Sequence, residues 1–289
     1  MVIQDLTATI SSPDFTQSII LGIVVASAFP IGAAVAIARK FPKRIKGNLA
    51  AIAAGIYFST LAFSLIDEAI KISSFPAMAA GFAIGAVSFS IAHPVIKERK
   101  ELTKIFSLSS SKKKEEETSD NDNKSRSRNE NNEKQQQQSG SSSSSSAGEM
   151  NIVGTILDSL PENLFLGAIL ALNLSGLSAA SIALFLGNLA ATMDGAQRMF
   201  EKGMQRSKIL KRWIVDFLIV APAGVIGLYL VKPLGEAGVG GIIGFAAGAL
   251  LVFVTVDLIP KAYSEENWHI GLSTALGLIA VLAIFHYLG

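Results

Sequence analysis

The sequence predicts an all-α fold: a polytopic membrane helical bundle of about eight transmembrane helices. Three observations predict it. Half of the 289 residues are hydrophobic, yet the charged residues crowd into a few short stretches instead of spreading over the chain as they do in soluble proteins. Apolar runs close to the roughly 20 residues that a helix needs to cross the hydrocarbon core recur at short intervals. They cover 17–38, 48–66, 77–96, 152–173, 176–197, 212–231, 237–259 and 269–288. The connections between these runs alternate between cation-rich and cation-poor.

Arg39, Lys40, Lys43, Arg44 and Lys46 follow the first span, and Lys97, Arg99, Lys100 and Lys104 follow the third. Arg198, Lys202, Arg206, Lys208, Lys211 and Arg212 lie between the fifth and sixth. The connections Lys71 to Pro76, Asn173 to Ser178 and Lys232 to Gly238 carry few cations. Cationic loops stay cytoplasmic, so both termini are expected to be extracytoplasmic, which an even number of spans requires. Met1 to Asp14 holds two aspartates and no basic region, unlike a cleaved signal peptide. The host membrane is expected to be the cell membrane, and the lipid bilayer is the one partner that composition establishes. A net charge of +2 gives no argument for nucleic acid, and the absence of cysteine excludes disulfides, thiolate metal ligands and cysteine nucleophiles.

Residues 107–149 change character, with Lys112 to Lys114, Glu115 to Glu117, four glutamines and a serine run ending at Ser146. Such a segment cannot bury enough apolar surface to offset its ordering entropy. The chain therefore divides into spans one to three (1–106), a disordered cytoplasmic loop (107–149) and spans four to eight (150–289). One internal repeat is visible. Ala53-Ala54-Gly55 precedes Leu65-Ile66 and Ala69, and Ala246-Ala247-Gly248 precedes Leu258-Ile259 and Ala262 at the same offsets. Spans two and seven run in opposite senses, so the repeat predicts two inverted halves, a common transporter architecture.

Ionisable groups inside a span are costly and mark cavities, partners or transport paths. In span four, Asp158-Ser159-Leu160-Pro161-Glu162-Asn163 puts two carboxylates four residues apart on one helical face. At about 1.5 Å per residue, Asp158 lies roughly a third of the way in and Glu162 near the middle. Pro161 removes a backbone hydrogen bond and frees carbonyl oxygens beside the acids. Carboxylates, a hydroxyl, an amide and free carbonyls form a hard, oxygen-rich site for a divalent cation; the alternative is protonated acids that serve packing alone. Asn188 in span five reaches a similar depth, either as a further ligand or as an interhelical hydrogen bond. Asp194, Asp216 and Asp257 fall near the inner ends of spans five, six and seven, where they either line an exit or pair with Arg198, Lys211, Arg212 and Lys261. Asp67 and Glu68 close the outer end of span two as an entrance, or pair with Lys71. His93, His269 and His286 read as interfacial. No Gly-x-Gly-Asp signature supports an intramembrane aspartyl protease, and no enzyme activity is expected.

These residues resemble the ZIP family of divalent metal transporters over nearly the whole chain. Asp158-Ser-Leu-Pro161-Glu162-Asn163 is similar to the family's His-Asn-x-Pro-Glu-Gly, with Asp158 in place of the histidine and Asn163 in place of the glycine. Leu258-Ile259-Pro260 is similar to its Leu-Leu-Pro-Glu, and Pro222-Ala223-Gly224 to its Glu-Pro-x-Gly. In span five only Asn188 remains of a second polar-x-x-Pro-Glu-Gly motif, and Ala221 stands where a glutamate precedes the span-six proline. The resemblance implies a ZIP-like architecture and a divalent cation as transported substrate, zinc by family, with iron or manganese as alternatives. It implies Asp158, Glu162, Ser159, Asn188, Asp194 and Asp216 as the metal residues, Asp67, Glu68 and Asp257 as entrance and exit, and a homodimer. An all-oxygen site tolerates harder ions such as manganese, magnesium or iron(II). The alternative function is a transport-inactive homologue serving as metal sensor or partner subunit.

Overall fold

A computed structural model describes residues 13–39, 41–92, 159, 162–172, 177–264 and 269–288. The 107–149 loop, His93, Asp158 and Pro161 lie outside the described residues. The helices belong to one compact unit, Met1–Ser90 with Thr155–Gly289; of the other unit, Ile91–Gly154, only the end of one helix is described.

Seven of the helices are long and apolar enough to cross a membrane: α1 (Asp14–Ala38), α2 (Arg44–Ile72), α3 (Phe75–Ala92), α5 (Leu177–Glu201), α6 (Arg206–Val231), α7 (Pro233–Tyr263) and α8 (Ile270–Leu288). The shorter apolar helix α4 (Glu162–Ala171) is the described part of the predicted fourth span. Proline shapes several of these helices. In α1, Pro30 cannot donate to the preceding turn, and the helix breaks at Ser27 between Pro13–Ala26 and Ala28–Ala38. In α6, Pro222 interrupts the helix after Val220. Near the start of α7 the helical path breaks at Gly235, whose φ of 64° is the left-handed backbone that glycine tolerates.

Contacts along the helices fix their relative directions. α2 and α8 run parallel: Ala50 and Ala51 cluster with Ile270, and Ile56 with Val281. α7 opposes α2, since Tyr57 meets Phe253 and Ala50 and Ala51 meet Ala262. α5 opposes α2 as well, joined to it by Lys46 and Glu201 at 2.6 Å and by Tyr57 and Asn188. α1 opposes α6 through the stacked rings of Phe29 and Trp213 and the approach of Gly22 to Ala221. α4 runs parallel to α6, with Asn163 and Leu164 against Gly224 and Gly227, and Gly167 against Gly224 and Leu228. Odd and even helices therefore alternate in sense. The start of α1 and the end of α8 lie on one side of the bundle.

The repeat seen in the sequence has a structural counterpart. α2 contains a π-helical turn at Leu61–Leu65 and α7 one at Val254–Leu258, at the same distance from their Ala-Ala-Gly triplets. Gly55 of α2 packs against the backbone of Thr274 and Leu278 in α8, and Gly248 of α7 packs against Phe82 and Ala86 in α3. Reciprocally, Gly277 meets Ile52 and Gly85 meets Phe245. A Cβ at any of these glycines would overlap a backbone oxygen, so glycine sets the interaxial distance. The pairs α2–α8 and α7–α3 are thus equivalent units, with α2 and α7 antiparallel.

Candidate metal site

Glu162, Asn188 and Tyr57 meet at mid-depth. Asn188 and Tyr57 occupy the middle of the long helices α5 and α2, and Glu162 opens the described part of α4. Asn188 Nδ2 donates to Glu162 Oε2 at 3.4 Å, and the Tyr57 hydroxyl donates to Asn188 Oδ1 at 2.8 Å. All three are sealed from solvent, with 1 to 2% of each surface exposed. Ser159 and Asn163 are also buried, and Asn163 Nδ2 donates to the Ser159 carbonyl at 3.1 Å. Glu162 Oε1 and Asn163 Oδ1 have no hydrogen-bond donor among the described residues. The cluster holds more acceptors than donors, an imbalance that a cation corrects.

Local sequence explains why the helices close here. Gly187, immediately before Asn188, leaves room for the Tyr57 ring, which a Cβ there would meet at 2.9 Å. Gly224, two residues after the α6 proline, lets α6 approach the backbone of Ser18 and Asn163. The Pro222-Ala223-Gly224 motif thus packs α6 onto the helix that carries Glu162.

The other predicted acids lie apart from this cluster, each with a cationic neighbour. Asp194 is buried and takes two hydrogen bonds from Arg198 Nε, at 2.8 and 2.9 Å, while Arg198 also donates to the Lys261 carbonyl at 3.0 Å. Asp216 is buried against Arg212 at 3.4 Å. Asp257, within the α7 π turn, pairs with Lys261. Asp67 and Glu68 share Lys71, at 2.7 and 3.2 Å. Buried Lys46 with Glu201 closes the cation-rich end between α2 and α5, and a cavity of about 760 Å³ opens beyond it beside Phe41, Gln197 and Arg206. Among the described residues no three His, Cys, Asp or Glu side chains cluster as a metal cage, so Glu162 is joined by the Asn188 amide instead, which in turn accepts from the Tyr57 hydroxyl. His286 meets the ring of Tyr287 edge-on at the end of α8. Tyr57 is the cluster member that the sequence reading missed. A tyrosine in an apolar run looks like packing, and only the approach of α2 to α5 reveals its hydroxyl as a site group.

A helical membrane bundle with alternating spans, two inverted helix pairs and a buried acid at mid-depth that no arginine or lysine among the described residues neutralises has the make-up of a polytopic ion transporter. The model of the ZIP zinc transporters matches residues 75–286, and the chain belongs to that family. No curated protein matches it. Membership makes it a multi-pass membrane protein of a family of divalent metal transporters.

Proposed function

We propose that the chain carries a divalent cation to the cytoplasm through a single mid-membrane site, exposed alternately to each side. The observation that carries this reading is the acceptor excess around Glu162: a buried carboxylate with one oxygen that no donor reaches among the described residues, beside the amide of a second helix. Glu162 and Asp158 act as the primary ligands, with Ser159 and Asn188 auxiliary. Asp158 precedes Glu162 by four residues in the sequence.

Asp67 and Glu68 concentrate cations at the entrance. Asp194, Asp216 and Asp257 form the exit, where the moving ion displaces Arg198, Arg212 and Lys261 in turn. Oxygen donors without imidazole or thiolate discriminate weakly for zinc, so manganese and iron(II) travel alongside it. The host is the cell membrane, with the cation-rich connections inside, and the working unit is a homodimer.

Uptake of manganese(II) into proteoliposomes tests the reading. Wild type accumulates the ion, while Glu162→Gln and Asp158→Asn do not; equal uptake by all three would remove these acids from the mechanism. A second reading, a transport-silent metal sensor, is favoured by the arginine locks on Asp194 and Asp216. Metal bound by wild type without any uptake selects it.

A further inference from the structure

The contacts of Asn188 contain a mismatch with metal binding. An amide ligates a cation through its oxygen, never its NH₂. Here the Asn188 nitrogen faces Glu162 Oε2, and the oxygen is occupied by the Tyr57 hydroxyl at 2.8 Å. Asn188 presents to Glu162 the end that a cation cannot use.

The Tyr57 ring is held in place by packing. It lies close against Gly187 and packs T-shaped with Phe253, with ring centroids 6.1 Å apart. The hydroxyl is therefore a fixed donor delivered by α2, a helix that carries neither Glu162 nor Asn188.

We infer that Tyr57 is a positioning residue that holds Asn188 with its N–H toward Glu162 while the site is empty, and that cation binding exchanges these partners. The amide turns, Oδ1 passes from the Tyr57 hydroxyl to the cation, and Glu162 gives up the amide N–H for the ion. No covalent bond or proton need change hands. The N–H gives the buried carboxylate a donor in the empty state, and the Tyr57 bond opposes binding enough to let the ion leave again. The inference rests on Glu162 being a metal ligand. One hydrogen bond of ordinary net strength changes an equilibrium by about three- to tenfold, which sets the size of the effect.

The test measures manganese(II) binding by calorimetry on the purified full chain, together with uptake into proteoliposomes. The proteins are wild type, Tyr57→Phe, Asn188→Ala, the double variant and Glu162→Gln. Tyr57→Phe keeps the packed ring and removes only the hydroxyl; its Kd is expected to fall about three- to tenfold while its maximal uptake rate falls, a split that mere loss of packing would not give. In the Asn188→Ala background Tyr57→Phe is expected to leave Kd unchanged, since there is no amide to hold. Asn188→Asp offers an oxygen at either end and is expected to be equally insensitive to Tyr57→Phe, which keeps the test open should Asn188→Ala fail to fold. An unchanged or higher Kd for Tyr57→Phe, or the same shift with and without Asn188, overturns the inference. If Glu162→Gln binds like wild type, the proposed function fails and takes the inference with it; if Glu162→Gln loses binding while the Tyr57 effect is absent, only the inference fails.

Discussion

Glu162 Oε1 and Asn163 Oδ1 are buried acceptors that no donor reaches among the described residues. Leaving such an atom unsatisfied costs about 1–3 kcal/mol, and more for a charged group. A bound cation removes that penalty, so metal and stability are linked. Manganese(II) at about 100 times its Kd should stabilise wild type by about 2.7 kcal/mol, read as a rise in melting temperature in detergent. Glu162→Gln should lose that rise, and its metal-free melting temperature should be no lower than wild type. The Asp194–Arg198 pair makes a second prediction. Arg198→Ala strands a buried carboxylate and should cost about 3–5 kcal/mol; adding Asp194→Asn should recover much of it, measured by denaturant melts of both variants. Glu162, Asn188 and Asp194 were legible in the sequence because a polar group in an apolar run needs a reason to be there. The partner of each acid was less so: Arg198 and Lys261 follow from helical spacing, whereas Tyr57 comes from a remote helix and leaves no local mark.

At the scale of the helix, prolines and glycines decide the geometry. The breaks at Ser27 and Val220 follow from Pro30 and Pro222, although spans one and six were predicted unbroken. The two π turns leave no comparable mark. Nothing in Leu61–Leu65 or Val254–Leu258 differs in composition from an α-helix, and a π turn arises where packing takes in an extra residue. The Ala-Ala-Gly repeat marks the positions where α2 and α7 touch their partners. Because α2 continues past Asp67 and Glu68, held by Lys71, it ends at Ile72 and not at the predicted 66. Gly55→Ala and Gly248→Ala should each destabilise the bundle by about 1–3 kcal/mol, because the new methyl meets backbone that cannot retreat without separating the helices. Gly271→Ala, with open space around it, should be neutral or slightly stabilising in the same melts.

For the whole molecule, alternation of helix direction turns a list of apolar segments into a topology. All eight segments were proposed from length and composition; seven stand as apolar helices long enough to cross a membrane, and the described part of the fourth, Glu162–Ala171, packs on α6. The absence of cysteine makes sidedness directly measurable. Single cysteines at Ser74 and at Lys202, both exposed, should label from opposite sides of the membrane, Ser74→Cys from outside intact cells and Lys202→Cys only after permeabilisation. The reverse pattern would invert the proposed direction of transport. Everything proposed for this molecule turns on whether a metal ion occupies the Glu162 cluster. Metal content per chain, determined by elemental analysis after equilibration with manganese(II) and removal of free ion, tests this most directly: wild type should retain about one ion and Glu162→Gln essentially none, whereas an empty wild type, or equal retention by the two, would contradict it.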